Sequence, residues 1–93
     1  MRLRFYVDPQ TGDPHIHSHG VTEDEVEEVL SKPLDDRHGS DGSWVAIGQT
    51  EAGRYLRVIY ARDQESGSRF VITAYEPGPK SVKALRRRRR RRP

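Results

Sequence analysis

The stretch "HIHSH" places His15, His17 and His19 at alternating positions. If it is extended, all three imidazoles project to one side. Arg54, Arg57 and Arg69 stand in two later runs, "GRYLRVIYAR" and "SRFVITAYE", and Tyr75 closes the second. These residue types can supply the groups that RNA cleavage requires. Cleavage of RNA at a 2′-hydroxyl needs a base for that proton, an acid for the leaving oxygen and a cation over the charge that develops on phosphorus. Arg57 is the first choice for that charge, with Arg54 and Arg69 in support and His17 or His19 for proton transfer. Tyr75 can stack on a base, a contact worth about 1–3 kcal/mol. Each residue also has an ordinary role to set beside this one. Arg57 and Arg69 can be solvated strand residues or surface ion pairs, Tyr55, Tyr60 and Tyr75 can be packing residues with a wet hydroxyl, and His19 can simply support a helix entry.

The alternating imidazoles also suit zinc or nickel, with His38 or Asp13 completing a shell. This metal-binding protein is the third reading in order, and the favoured chemistry uses no metal and no cofactor. A second chemical feature lies at the C-terminus, where Arg86, Arg87, Arg88, Arg89, Arg90, Arg91 and Arg92 run without interruption. Residues 1–85 hold ten basic against fourteen acidic side chains, a net of −4, so an acidic body carries a basic end. The seven arginines are therefore read as a nucleic-acid-binding extension, or as a surface for an acidic partner, with affinity but no sequence specificity.

The elements that must position these groups follow from pattern. In "GVTEDEVEEVLSKP", Thr22 and Glu25 form a capping box, Val21 and Val26 a hydrophobic staple, and Val26, Val29 and Leu30 one apolar face. A helix starts here and stops at Lys32 and Pro33. Three strands follow, "SWVAIGQT", "RYLRVIYAR" and "RFVITAYE", joined by "EAG" and "DQESGS" as hairpin loops into an antiparallel meander. Alternation predicts Leu56, Val58 and Tyr60 in the core, and Phe70, Ile72 and Ala74 packed on the helix. Arg57 and Arg69 then emerge together on the non-helix face. Trp44 is expected in the core, "RLRFYVD" adds a further strand bearing Leu3, Phe5 and Val7 on one face, and "LDDRHGSDGS" reads as a polar loop. From about Ser81 a C-terminal helix runs into the arginines, anchored by Val82 and Leu85. The fold class is thus α+β: a small antiparallel sheet of about four strands packed on a short helix, with an arginine-rich C-terminal helix. Residues 1–85 form the single domain and residues 86–93 its extension.

Ninety-three residues support one small domain with a thin core, which makes a homodimer or a partner reasonable. There is no cysteine and no apolar stretch long enough for a signal peptide or membrane span, so the expectation is a soluble cytoplasmic protein with no membrane partner.

Over residues 15 to 76, "HSHGVTEDEVEEVL", "AIGQTEAGRYLRVIYA" and "RFVITAY" resemble, in this order and spacing, the BrnT-type toxins and related small domains of the RelE/ParE superfamily. The resemblance implies a compact sheet-and-helix fold and the toxin of a bacterial type II toxin-antitoxin system. It further implies a metal-independent endoribonuclease that acts on mRNA, free or ribosome-bound, to inhibit translation and is neutralised by a cognate antitoxin. Two departures are visible: Ser18 stands where many relatives have a lysine, and "EPGPKSVKALRRRR" offers Glu76 and arginines but no closing-helix tyrosine. The alternative is a non-catalytic RelE-like module that binds nucleic acid or protein through its basic tail.

Overall fold

The structure is a computed structural model that describes residues 1–90; Arg91 and Arg92 of the arginine run lie outside the described residues, and Arg89 and Arg90 are described only as helical backbone. The first helix, α1 (Glu23–Ser31), forms where the capping box predicts it. The Thr22 hydroxyl accepts from the Glu25 N–H at 3.2 Å, and the Thr22 N–H donates to the Glu25 carboxylate at 3.0 Å. Glu23, Asp24 and Glu25 fill the first turn, where the helix dipole favours negative charge. Val26, Val29 and Leu30 are buried against the sheet.

That sheet has five strands: β1 (Leu3–Phe5), β2 (Asp35–His38), β3 (Trp44–Gln49), β4 (Tyr55–Arg62) and β5 (Arg69–Tyr75), in spatial order β1-β5-β4-β3-β2. β2 to β5 form antiparallel pairs, and β1 adds to the edge of β5 in parallel. Leu56, Val58 and Tyr60 are fully buried, as alternation predicts, and join Ile16, Val21 and the α1 stripe in one cluster. Gly48 of β3 sits under α1, where a Cβ would stand 3.0 Å from a Val29 methyl, so glycine sets how closely the helix approaches. Trp44 packs at the margin of the cluster, half-buried, with the Arg62 guanidinium 3.6 Å from its ring centre.

Three expectations are corrected. The segment read as a polar loop contains β2, an edge strand whose charged residues suit an edge. It is tied across the sheet because the buried Tyr60 hydroxyl donates to the Asp36 carboxylate at 2.8 Å. The face expected for Phe70, Ile72 and Ala74 is broken by a β-bulge: Ile59 pairs with Thr73 and Tyr60 with Val71, so Ile72 is the extra residue. Val71 and Ala74 are consequently both buried and Ile72 is exposed. The same shift carries Arg69 to the α1 side, where its guanidinium lies 5.5 Å from the Tyr60 ring centre and donates to the Leu30 carbonyl at 3.4 Å. Finally, "HIHSH" is not extended. It is a short 3₁₀ helix, His15–His19, held by buried Ile16 and closed by Gly20 at φ +69°.

The second helix, α2 (Pro79–Arg90), begins two residues before Ser81 and runs unbroken from Pro79 into the arginines. It covers the sheet face opposite α1, the face that carries Val45, Ile47, Arg57, Ile59 and Tyr75. Leu85 is its fully buried anchor, while Val82 is half-buried. Leu85→Ala should weaken the docking of α2 by about 2–5 kcal/mol. The expected outcome by amide hydrogen exchange is loss of protection across residues 79–88 with β4 amides unchanged; equal loss in β4 would show that α2 is part of the global folding unit.

Candidate functional site

The 3₁₀ helix does what an extended strand would not. With Ile16 buried, His15 and His19 fall together and His17 points elsewhere. Their rings meet edge-on, centres 5.2 Å apart. The row extends in both directions: Tyr6 lies 6.2 Å from His15, Tyr75 lies 6.0 Å from His19, and the Arg57 guanidinium lies 6.0 Å from the Tyr75 ring centre. Tyr6, His15, His19, Ile72, Thr73 and Tyr75 line an open cleft of about 550 Å³. The His15 backbone N–H donates to the Tyr6 carbonyl at 2.9 Å, which anchors the start of the turn, and the His15 Nδ1 lies 3.7 Å from an Asp8 carboxylate oxygen, within ion-pair reach. Beyond the bulge, Thr73 and Tyr75 share a sheet face with Arg57 and Ile59, their register partners.

Of the residues singled out from sequence, His19, Tyr75 and Arg57 come together, and His17, Arg54 and Arg69 do not join them. His17 is exposed, with its Nε2 2.6 Å from a Glu23 oxygen; that hydrogen bond holds the Glu23 carboxyl below its ordinary range. Arg54 is consumed by structure. It donates to the Gly20 carbonyl at 2.8 Å, to both Glu25 oxygens at 3.0 and 3.1 Å, and to Glu76 at 2.6 Å. The Glu76 hydrogen bond is the largest cause raising the pKa of Arg54, and Glu25 in turn is lowered, first by the Thr22 N–H and then by Arg54. A guanidinium shared by two carboxylates has little charge left for phosphate. Arg69 lies on the other face of the sheet. His15 and Tyr6 are the residues without an assigned role that belong to the site. The signal for His15 was present in part, since Pro14 and Gly20 bracket the segment as start and stop of a helical turn, in which alternate residues no longer share one side. Tyr6 had none, because its place depends on the parallel pairing of β1 with β5.

On the far side of Tyr75 a second cavity, about 360 Å³, opens between α2 and the sheet. Arg37, Arg57 and Arg88 reach it from β2, β4 and α2. Arg57 donates to the Ser81 hydroxyl at 3.3 Å, and its Nε is buried with no hydrogen-bond partner among the described residues. Asp35 pairs with both Arg37 and Arg88. Of the other tail residues, Arg86 lies over the Tyr55 ring at 5.3 Å, while Arg87 is exposed and lines, with Pro79, Val82, Lys83 and Arg86, a groove along α2 separate from this cavity.

The three imidazoles are thus split, and His38 stacks on Trp44 with ring centres 3.9 Å apart. Among the described residues no group of three or more histidine, cysteine, aspartate or glutamate side chains is placed to hold a metal ion.

A protein family described as "Domain of unknown function (DUF4258)" matches residues 15–76. The chain belongs to this family. The DUF4258 match begins at His15 and ends at Glu76, so it contains both imidazoles of the pair, Arg57, Tyr75 and every partner of Arg54, and it leaves out Tyr6 and α2. No curated protein matches the chain.

Two outcomes are expected at the Arg54 knot. Arg54→Met should cost about 2 kcal/mol, because it strips charge-assisted hydrogen bonds from two carboxylates and a carbonyl. Glu23 and Glu25 have folded pKa values below the ordinary 4.5, so the stability they supply is fully present above that value and is lost as pH falls through the depressed folded values. Thermal unfolding from pH 7 to pH 3 should therefore show the wild-type midpoint dropping below about pH 4.5, with a smaller drop in Arg54→Met; parallel curves would contradict this assignment.

Proposed function

We propose that this DUF4258 protein is a metal-independent endoribonuclease, with its reactive centre in the cleft between Tyr6 and Tyr75. The observation that supports the reading is the imidazole pair: two histidines 5.2 Å apart, in a cleft walled by tyrosines, with a guanidinium next to one of those tyrosines. One imidazole of the His15–His19 pair takes the 2′-hydroxyl proton as the 2′-oxygen attacks phosphorus. The other gives a proton to the 5′-oxygen as the P–O bond breaks, leaving a 2′,3′-cyclic phosphate and a 5′-hydroxyl. Arg57 stabilises the negative charge on the phosphorane, and Tyr6 and Tyr75 offer ring faces to the flanking bases. Asp8 stands beside His15, where its carboxylate would stabilise the imidazolium formed during proton transfer. His15 takes the place given to His17 from sequence, and Arg54 and Arg69 serve as structural cations.

The biological setting follows the family resemblance over the same residues: the toxin of a bacterial type II toxin-antitoxin system, acting in the cytoplasm on free or ribosome-bound mRNA and restrained by an antitoxin. No helix of the described residues is long and apolar enough to cross a membrane. A second reading, a non-catalytic nucleic-acid-binding module, is favoured by one specific feature. Lys80, Lys83, Arg86 and Arg87 are all exposed on α2, whereas Glu23, Asp24 and Glu27 are exposed on α1, so a polyanion meets attraction on one side of the molecule and repulsion on the other.

The deciding experiment is RNA cleavage in EDTA, with and without ribosomes. His15→Ala, His19→Ala and Arg57→Ala should each lower the rate by about 10²–10⁴-fold, while His17→Ala retains activity. Absence of cleavage by the wild type in both conditions, or equal loss in His17→Ala, would overturn the catalytic reading and leave the binding module.

A further inference from the structure

The cavity beneath α2 is chemically distinct from the imidazole cleft. Three guanidinium groups reach it from three separate elements, and the carboxylate paired with two of them, Asp35, leaves a net charge of +2. Ile47 and Ile59 form apolar parts of the lining, which lowers the local dielectric and strengthens any ionic contact made there. Arg57 supplies the most specific observation. Its Nε is buried and donates to nothing among the described residues, and its bond to Ser81 is long at 3.3 Å. A buried charged donor left in this condition is costly, and an anionic oxygen is the acceptor that relieves it best.

We infer that this cavity is a binding site for a phosphomonoester, held by Arg37, Arg57 and Arg88 with the Ser81 hydroxyl donating. Charge selects the class. A phosphomonoester carries about −1.5 to −2 at pH 7, which the net +2 matches, whereas an internal phosphodiester carries a single charge. About 360 Å³ admits the phosphate and part of its sugar. The group can come from a free mononucleotide or from the phosphorylated end of an RNA. The cavity shares Arg57 and Tyr75 with the neighbouring cleft, but Arg37, Arg88 and Ser81 belong to it alone, so binding here is read through Arg88 whether or not RNA is cut in the cleft.

The test is isothermal titration of the full chain with inorganic phosphate, a nucleoside 5′-monophosphate, and one short RNA with and without its terminal phosphate. Arg88→Gln and Arg87→Gln are compared; both are exposed positions on one helix with equal charge loss, but Arg88 lines the cavity and Arg87 does not. Phosphate and the monophosphate should bind the wild type about tenfold more tightly than Arg88→Gln, with Arg87→Gln within about twofold of wild type. If removing the terminal phosphate weakens RNA binding in wild type and not in Arg88→Gln, the RNA end is the source; if it changes nothing while the monophosphate still binds, the source is the free nucleotide. Both outcomes uphold the site. No binding of phosphate or monophosphate, or equal weakening by Arg87→Gln and Arg88→Gln, would overturn it.

Discussion

Arg54 is the interaction on which the arrangement depends. From the end of the β3–β4 hairpin its guanidinium reaches the Gly20 carbonyl at the close of the 3₁₀ helix, the Glu25 carboxylate in the first turn of α1, and Glu76 just past β5. Those are the segments that carry or flank His15, His19 and Tyr75. The hairpin is itself made specific to this task. Gly53 turns at φ +94°, a conformation open to glycine, and the buried Thr50 hydroxyl accepts the Arg54 N–H at 3.1 Å. A cation that sequence alone offers to a phosphate is instead what holds the walls of the candidate cleft together. The acids of α1 have a double use for the same reason: they cap a helix and supply half of the ion-pair knot.

With the knot in place, charge and aromaticity divide the molecule. The exposed acids of α1 occupy one side, the sheet is the partition, and the basic helix lies on the other. Tyr75 stands where the two candidate sites meet, lining both the imidazole cleft and the arginine cavity. An RNA stacked on Tyr75 would have proton-transfer groups to one side and Arg57 to the other. This economy explains why a thin-cored domain of this size can carry both features: each is built from side chains that already serve the sheet or its helices.

Much of the fold was legible in the sequence, because α1 and the β3–β5 meander are specified locally. The capping box needs Thr22 and Glu25 three residues apart, and the core set of β4 needs only alternation. What was not legible depends on partners distant in the chain. The bulge at Ile72 is set by pairing with β4, and it alone decides that Arg57 and Arg69 lie on opposite faces. The strand β2 contains no apolar residue and exists because β3 offers an edge and Tyr60 offers a hydroxyl to Asp36. For the site, His19, Tyr75 and Arg57 could be named from residue type. Choosing His15 over His17 required the segment to be a helical turn, whereas alternation in "HIHSH" suggested a strand; Ile16, the one apolar residue of the five, settles the matter by being buried.

The central claim is that a single-stranded RNA occupies the Tyr6–His15–His19–Tyr75 row. The most direct measurement is an NMR titration of the histidine ring C–H signals with a short RNA whose 2′-hydroxyls are methylated, so that it binds without being cut. The account predicts that the His15 and His19 signals move together and saturate with the Tyr75 ring signals, while His17 and His38 stay in place. Movement of His17 or His38 alone, or shifts confined to the arginines of α2, would place the RNA elsewhere and contradict it.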